Sequence, residues 1–226
     1  MKKNRAFKSY IQSFVTVALR CVCRTYFKVD VRGLEHLPKS GSYVLTSNHA
    51  SHLDSVALIV ASKRSIDDFV FMAAKDYFFK GGLYTKIMNL LLNLVPLDRG
   101  IHSKGLQKNL QYLKACKEAG KIIVLFPEGT RSASGELQKF KVGIGVFANA
   151  LKIPTVPSYI KGTHRLLPKG KLFPKPGEVR VSFGPPLYTN VESNTESFDI
   201  ADIKHKEFTL QLREKIVALR DGSLLG

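Results

Sequence analysis

The sequence predicts an α/β layered domain, and three observations carry that prediction. Short β-branched and apolar runs of strand length alternate with longer segments whose apolar residues recur at helical spacing. The chain has 226 residues, enough for one sizeable core. No internal repeat, low-complexity segment or convincing linker interrupts the alternation.

The first element is a helix. Phe7, Ile11, Phe14, Val15, Ala18, Val22 and Tyr26 recur at helical spacing, and Lys8, Gln12, Thr16, Arg20 and Arg24 populate the other side. With Lys2, Lys3 and Arg5 at its start, such a helix suits a membrane interface, so residues 1–28 are read as an interface segment ahead of a domain over 29–226. Packing on the protein's own core is the alternative, since most amphipathic helices do that. Residues 29–32 alternate as a short strand and end in a turn marked by Gly33 and Pro38. Residues 42–46 form a second strand. Residues 55–62 are apolar and follow a helix-start signal, which predicts a buried helix.

Residues 69–73 are another strand. Gly81-Gly82 precedes an apolar helix over 83–94, and Val95-Pro96-Leu97 is a strand running into the turn Asp98-Arg99-Gly100. The helix over 103–119 aligns Leu106, Leu110, Leu113 and Cys116 and stops at Gly120. Residues 121–126 make a buried strand and 142–151 a small-residue helix. Strands over 155–160 and 179–183 are joined by a basic loop rich in Pro and Gly. A helix over 203–219 closes the chain with Phe208, Leu212, Ile216 and Leu219 on one line.

A formal net charge of +17 predicts an anionic partner: nucleic acid, a phospholipid surface or an acidic carrier protein. Charge alone does not choose among them, and much of it can be solvated surface. No nucleic-acid-binding motif appears, and the aromatics read as core, so nucleic acid is set aside. Cys21, Cys23 and Cys116 have no metal-ligand spacing, and no metal is expected. Their odd number, with no secretory signal, points to a reducing cytosol, where they read as small buried hydrophobes. No apolar run approaches the roughly 18 residues of a spanning helix.

The chemistry sits where two strands end. After the run 43–46 comes Asn48-His49-Ala50-Ser51-His52-Leu53-Asp54, and after the run 122–126 comes Pro127-Glu128-Gly129-Thr130-Arg131-Ser132. A spacing of five does not put His49 and Asp54 on one helical face. It fits a His in the turn and an Asp at the helix start. There the carboxylate accepts one ring N–H and leaves the other nitrogen free as a base. A capping box reads the same residues differently, with Ser51 and Asp54 only starting the helix. The Glu-Gly-Thr-Arg turn offers backbone N–H groups, a hydroxyl and a guanidinium fork suited to phosphate, although Glu128 and Arg131 could simply be exposed. His36, His102, His164 and His205 lack a partner at telling spacing, and His52 is expected to face elsewhere.

The first of these motifs resembles the first motif of the glycerophospholipid acyltransferase family. Leu97-Asp98-Arg99 resembles its second, Phe126-Pro127-Glu128-Gly129-Thr130-Arg131-Ser132 its third, and Ile153-Pro154-Thr155-Val156-Pro157 its fourth. Order and spacing agree over about residues 30 to 190, and the bacterial 1-acyl-glycerol-3-phosphate acyltransferases are the group most resembled. The resemblance implies a mixed, mostly parallel sheet flanked by helices, with the N-terminal helical region on a membrane. It implies His49 as general base and Asp54 as its orienting group, with direct attack of the acceptor hydroxyl on an acyl thioester. Glu128, Gly129, Thr130 and Arg131 would bind the acceptor and its phosphate, with Arg99 assisting, and turn amides would stabilise the oxyanion.

No cofactor is implied, since acyl-CoA or acyl carrier protein delivers the chain as a substrate. The expected partners are a lysophospholipid acceptor, that donor and an anionic membrane surface, at the cytoplasmic face of an inner membrane. Glycerol-3-phosphate, a lyso-aminolipid or another lysophospholipid stay open as acceptors, and a non-catalytic lipid-binding module is the rival class. No Gly-x-Ser-x-Gly elbow suggests a serine hydrolase.

Overall fold

The computed structural model describes residues 2–74, 92–97, 103–171, 173–189 and 203–224. A helix α1 (Lys2–Tyr26) runs directly into β1 (Phe27–Arg32). Then follow β2 (Tyr43–Ser47), α2 (Leu53–Ala61), β3 (Phe69–Ala74), β4 (Leu94–Leu97), α3 (Ser103–Glu118), β5 (Ile122–Leu125), α4 (Gly143–Leu151), β6 (Thr155–Lys161), a one-turn helix α5 (Thr163–Leu166), β7 (Gly177–Phe183) and α6 (Ile203–Asp221). The seven strands form one sheet in the order β1-β7-β6-β2-β5-β3-β4. Neighbours in the block from β6 to β4 are parallel, β7 runs antiparallel to β6, and β1 is parallel to β7. The sheet is therefore mixed and mostly parallel.

The central strands read as continuous apolar runs because both of their faces are covered. The pleat then divides their side chains by parity. Tyr43, Leu45, Ile122, Val124, Phe69 and Phe71 join the core beneath α1 and α2, with Leu58 and Ile59. Val44, Ile123, Leu125 and Met72 join the opposite core with α3, α4 and α6, where Leu113, Val146, Leu151, Leu212 and Ile216 are buried.

Several local features differ from the sequence reading. The helix expected over 83–94 lies mostly outside the described residues, and its last residue, Leu94, opens β4. The boundary at 28/29 falls inside β1, so α1 is continuous with the sheet. In α1 the side read as apolar is largely outward: Phe7 and Phe14 are 67% and 75% exposed beside Tyr10 and Val17, while the buried face carries Gln12, Thr16 and Cys23. Hydrogen bonding accounts for this. Thr16 Oγ1 donates to the Gln12 carbonyl at 2.6 Å and accepts from the Ile66 N–H at 3.0 Å. Gln12 Nε2 donates to Asn93 Oδ1 at 3.1 Å, and Arg20 donates to the Arg64 carbonyl at 3.0 Å. Val15 and Leu19 pack at the edge of the core. Cys21, expected to be buried, is exposed, whereas Cys23 is buried.

Candidate active site

Two turns meet beyond the C-terminal ends of β2 and β5. These strands are parallel neighbours with Thr46 opposite Leu125, so Asn48-His49 and Phe126-Pro127 leave the sheet side by side. Asn48 fixes the departure. Its Nδ2 donates to the Ile160 carbonyl at 2.9 Å and its Oδ1 accepts from the Ile160 N–H at 2.7 Å, which extends the β2–β6 pairing past the last strand pair.

His49 follows with its side chain 19% exposed, reachable yet largely out of water. Its Nδ1 lies 2.9 Å from Asp54 Oδ2. A carboxylate only accepts, so Nδ1 carries the hydrogen and Nε2 is left to take a proton. The ring stacks on Phe126, centroids 4.0 Å apart and planes 14° from parallel, which restrains its rotation.

Asp54 is fully buried in the first turn of α2. Its Oδ2 also accepts the Ala50 and Ser51 N–H groups at 2.7 and 2.8 Å. Its Oδ1 accepts the Thr163 hydroxyl at 2.6 Å. Ser51 Oγ in turn accepts the Leu53 N–H at 3.2 Å and donates to the Leu167 carbonyl at 2.7 Å. One carboxylate oxygen thus holds the turn amides and the imidazole together.

The second motif is stitched to the first. Glu128 is buried and accepts the His49 backbone N–H at Oε1, 3.0 Å away, while the Ser132 N–H donates to the His49 carbonyl at 2.7 Å. Burial pushes the Glu128 carboxyl up to about 7. The Glu128 carboxyl, read from sequence as an acceptor contact, is turned inward onto the histidine's own backbone. Gly129 takes a left-handed conformation, φ 73°, and a Cβ there would come 2.8 Å from Lys141 Cε, so the Lys141 side chain lies across it. Thr130 is exposed and Arg131 half-buried.

His52, in the turn before α2, is half-buried. Burial first, then the charges of Arg131 and His49, lower it to about 4, which keeps it neutral at pH 7. The Ala50, Ser51, Gly129 and Ser132 amides are spent on internal bonds, which removes them as donors to an oxyanion. Arg99, with Asp98 and His102, lies outside the described residues. Thr163 and Lys141 have no place in the sequence motifs, and Phe126 enters them only as the residue before Pro127. Thr163 sits 109 residues from Asp54, and no local pattern announces such a pair.

A buried carboxylate thus lies against a half-buried histidine beside a glycine turn that carries arginine, at the strand ends of an α/β sheet, an arrangement suited to general-base chemistry. The sequence matches the family Acyltransferase over residues 28–161, more than half of the chain. The chain belongs to that family. It is 30% identical over 165 residues to a 1-acyl-sn-glycerol-3-phosphate acyltransferase of Limnanthes alba, covering 72% of this chain and 55% of that protein. It is 33% identical over 168 residues to the chloroplastic 1-acyl-sn-glycerol-3-phosphate acyltransferase BAT2 of Brassica napus, covering 72% and 46%. The chain thus spans about half the length of the curated relatives it matches. The crystal structure of the 1-acyl-sn-glycerophosphate acyltransferase PlsC from Thermotoga maritima shares the fold, with a TM-score of 0.67 at 22% identity over 92% of this chain and 81% of that one.

Proposed function

We propose that the chain transfers a fatty acyl group from a thioester to the free hydroxyl of 1-acyl-glycerol-3-phosphate, forming phosphatidic acid. The observation that carries this reading is the 2.9 Å contact between His49 Nδ1 and the buried Asp54 carboxylate. It leaves Nε2 as the base on a ring that Phe126 holds in place. Nε2 takes the acceptor's hydroxyl proton as the oxygen attacks the thioester carbonyl. The tetrahedral intermediate then expels the thiolate, and the imidazolium returns the proton to that sulfur. Asp54 steadies the imidazolium while it exists.

Arg131 offers a guanidinium fork to the acceptor phosphate, and Lys141 brings a second cation to the same turn. Glu128 acts through His49 by fixing its main chain. The names of the relatives support lysophosphatidate over other acceptors.

The substrates are amphiphiles, so the fold must meet a bilayer. Among the described residues no helix is long and apolar enough to cross one. The outward stripe of α1, Phe7, Tyr10, Phe14 and Val17, is the surface suited to lie in the headgroup layer, as on the cytoplasmic face of an inner membrane. The test of the reaction is a panel of acceptors, lysophosphatidate, glycerol-3-phosphate and neutral lysophospholipids, each against acyl-CoA and acyl carrier protein thioesters, with products read by mass spectrometry. Diacyl product only from the lysophosphatidate supports the reading, and product only from another acceptor replaces it.

A further inference from the structure

We propose that the basic groove beside α1 is a binding site for an anionic phospholipid headgroup, separate from the acceptor site. The groove has a volume of about 970 Å³ and runs between α1, β1, the end of α2, the β6–α5 turn and β7. Arg24, Lys28, Lys63, Lys161 and Arg165 line it, and all five are exposed. Arg20 and Arg180 add to the wall. Among the described residues that line it, the acids are Asp30 and Glu178, and Asp30 is held by Arg180 at 2.6 Å and Arg32 at 3.4 Å. Cys23, Phe27, Val31, Val60 and Val179 supply apolar side chains to the same lining. Arg24, Lys63 and Arg165 on the helix side, with Lys28 and Lys161 around the sheet edge, outnumber the acids beside apolar side chains, a composition that fits a phosphate attached to a glycerol backbone and acyl chains.

The surroundings favour a lipid over a protein as the source of that phosphate. Arg20 and Arg24 sit on α1 between its buried face and the outward Phe7-Tyr10-Phe14-Val17 stripe. At the end of α1, Tyr26 and Phe173 are 42% and 85% exposed, and the Tyr26 hydroxyl donates to the Pro174 carbonyl at 3.0 Å. Aromatic side chains beside cations are the composition of a headgroup layer. Neither His49 nor Asp54 lines the groove. The two sites still touch through the chain, since Gly162 in the groove wall precedes Thr163, whose hydroxyl holds Asp54. A headgroup in the groove would fix the docked molecule one residue from the support of the dyad.

The test titrates the intact chain with monomeric dihexanoyl-phosphatidylglycerol, which is neither acceptor nor product, and with the phosphatidylcholine analogue, by calorimetry. The paired reversals Arg24→Glu with Arg165→Glu, and Lys28→Glu with Lys161→Glu, are compared with Lys114→Glu and Lys152→Glu, which make the same charge change on exposed sites away from the groove. Binding of the phosphatidylglycerol should weaken by about tenfold or more in both groove variants and by less than about twofold in the control. The same loss in the control, or no binding by the native chain, overturns the site. So does unchanged lipid binding in groove variants that fail with an acyl carrier protein thioester, which would make the groove a dock for that acidic protein. The readout requires no turnover, so its failure is distinguishable from failure of the acyltransferase reading.

Discussion

Replacing Asp54 with Asn and with Ala should separate the two tasks its carboxylate performs. In Asp54→Asn the amide oxygen can take the place of Oδ2 and keep the His49, Ala50 and Ser51 donors. The new NH2 then faces the Thr163 hydroxyl, which can turn to accept. Geometry survives, but the charge that steadies an imidazolium is gone, and hydrogen bonds to a charged group are roughly twice as strong as neutral ones. Turnover should fall by about a hundredfold to ten-thousandfold, with a melting temperature lowered by only a few degrees. Asp54→Ala instead strands two backbone N–H groups and the Thr163 hydroxyl in a buried site, at about 1–3 kcal/mol each. That is a large share of the roughly 5–15 kcal/mol that holds a domain together, so this variant should melt far lower or fail to fold. Initial rates of acyl transfer and thermal melts followed by circular dichroism read the two effects. An Asp54→Asn enzyme with near-native turnover and a lowered melting temperature would refute the relay and leave Asp54 as a helix start alone.

Glu128→Gln should keep the acceptor for the His49 N–H while removing a carboxyl that burial raises to about 7. The native fold holds that proton after the unfolded chain has released it, so this group's contribution to stability falls as pH rises from about 4.5 to 7, by at most on the order of 3 kcal/mol. Melts across that range should show the native protein losing stability relative to Glu128→Gln, and parallel curves would contradict the burial argument. Arg131→Lys should raise the apparent KM for lysophosphatidate with little change for the acyl donor, because an ammonium lacks the bidentate fork. Unchanged kinetics would remove Arg131 from the acceptor site. Substituting Ser at Phe7, Tyr10, Phe14 and Val17 together should weaken co-sedimentation with anionic liposomes without lowering the melting temperature, since all four are exposed. Deleting residues 1–28 is the poorer test, because the Gln12, Thr16 and Arg20 contacts tie α1 to the body of the fold.

The strands were legible because a mostly parallel sheet covered on both faces leaves short apolar runs with sharp ends. Residues 42–46 and 121–126 need no tertiary knowledge to be read as strands, although their pairing does. His49 and Asp54 were legible for a different reason, namely that five residues of one turn fix their approach. What was not legible depended on contacts made at a distance. The anchoring of α1 by polar residues had no signal, because hydrophobic periodicity assumes that polar residues seek water. Here Gln12 and Thr16 find partners at Asn93 and Ile66 instead. The bond from Glu128 to the His49 amide had no signal either, because only the pairing of β2 with β5 brings the two together. Thr163 and Lys141 carried no signal at all, since each matters only through a residue that the fold brings to it.

The central claim is that His49, oriented by Asp54, is the base for acylation of a lysophosphatidate hydroxyl. Its most direct measurement is the rate of phosphatidic acid formation from 1-acyl-glycerol-3-phosphate and an acyl thioester, read by mass spectrometry for the native chain, His49→Ala and His52→Ala. The account predicts diacyl product from the native chain, a loss of about a hundredfold to ten-thousandfold in His49→Ala, and a far smaller loss in His52→Ala, whose ring is already neutral. Product formed equally well by His49→Ala, or greater sensitivity at His52, would contradict it.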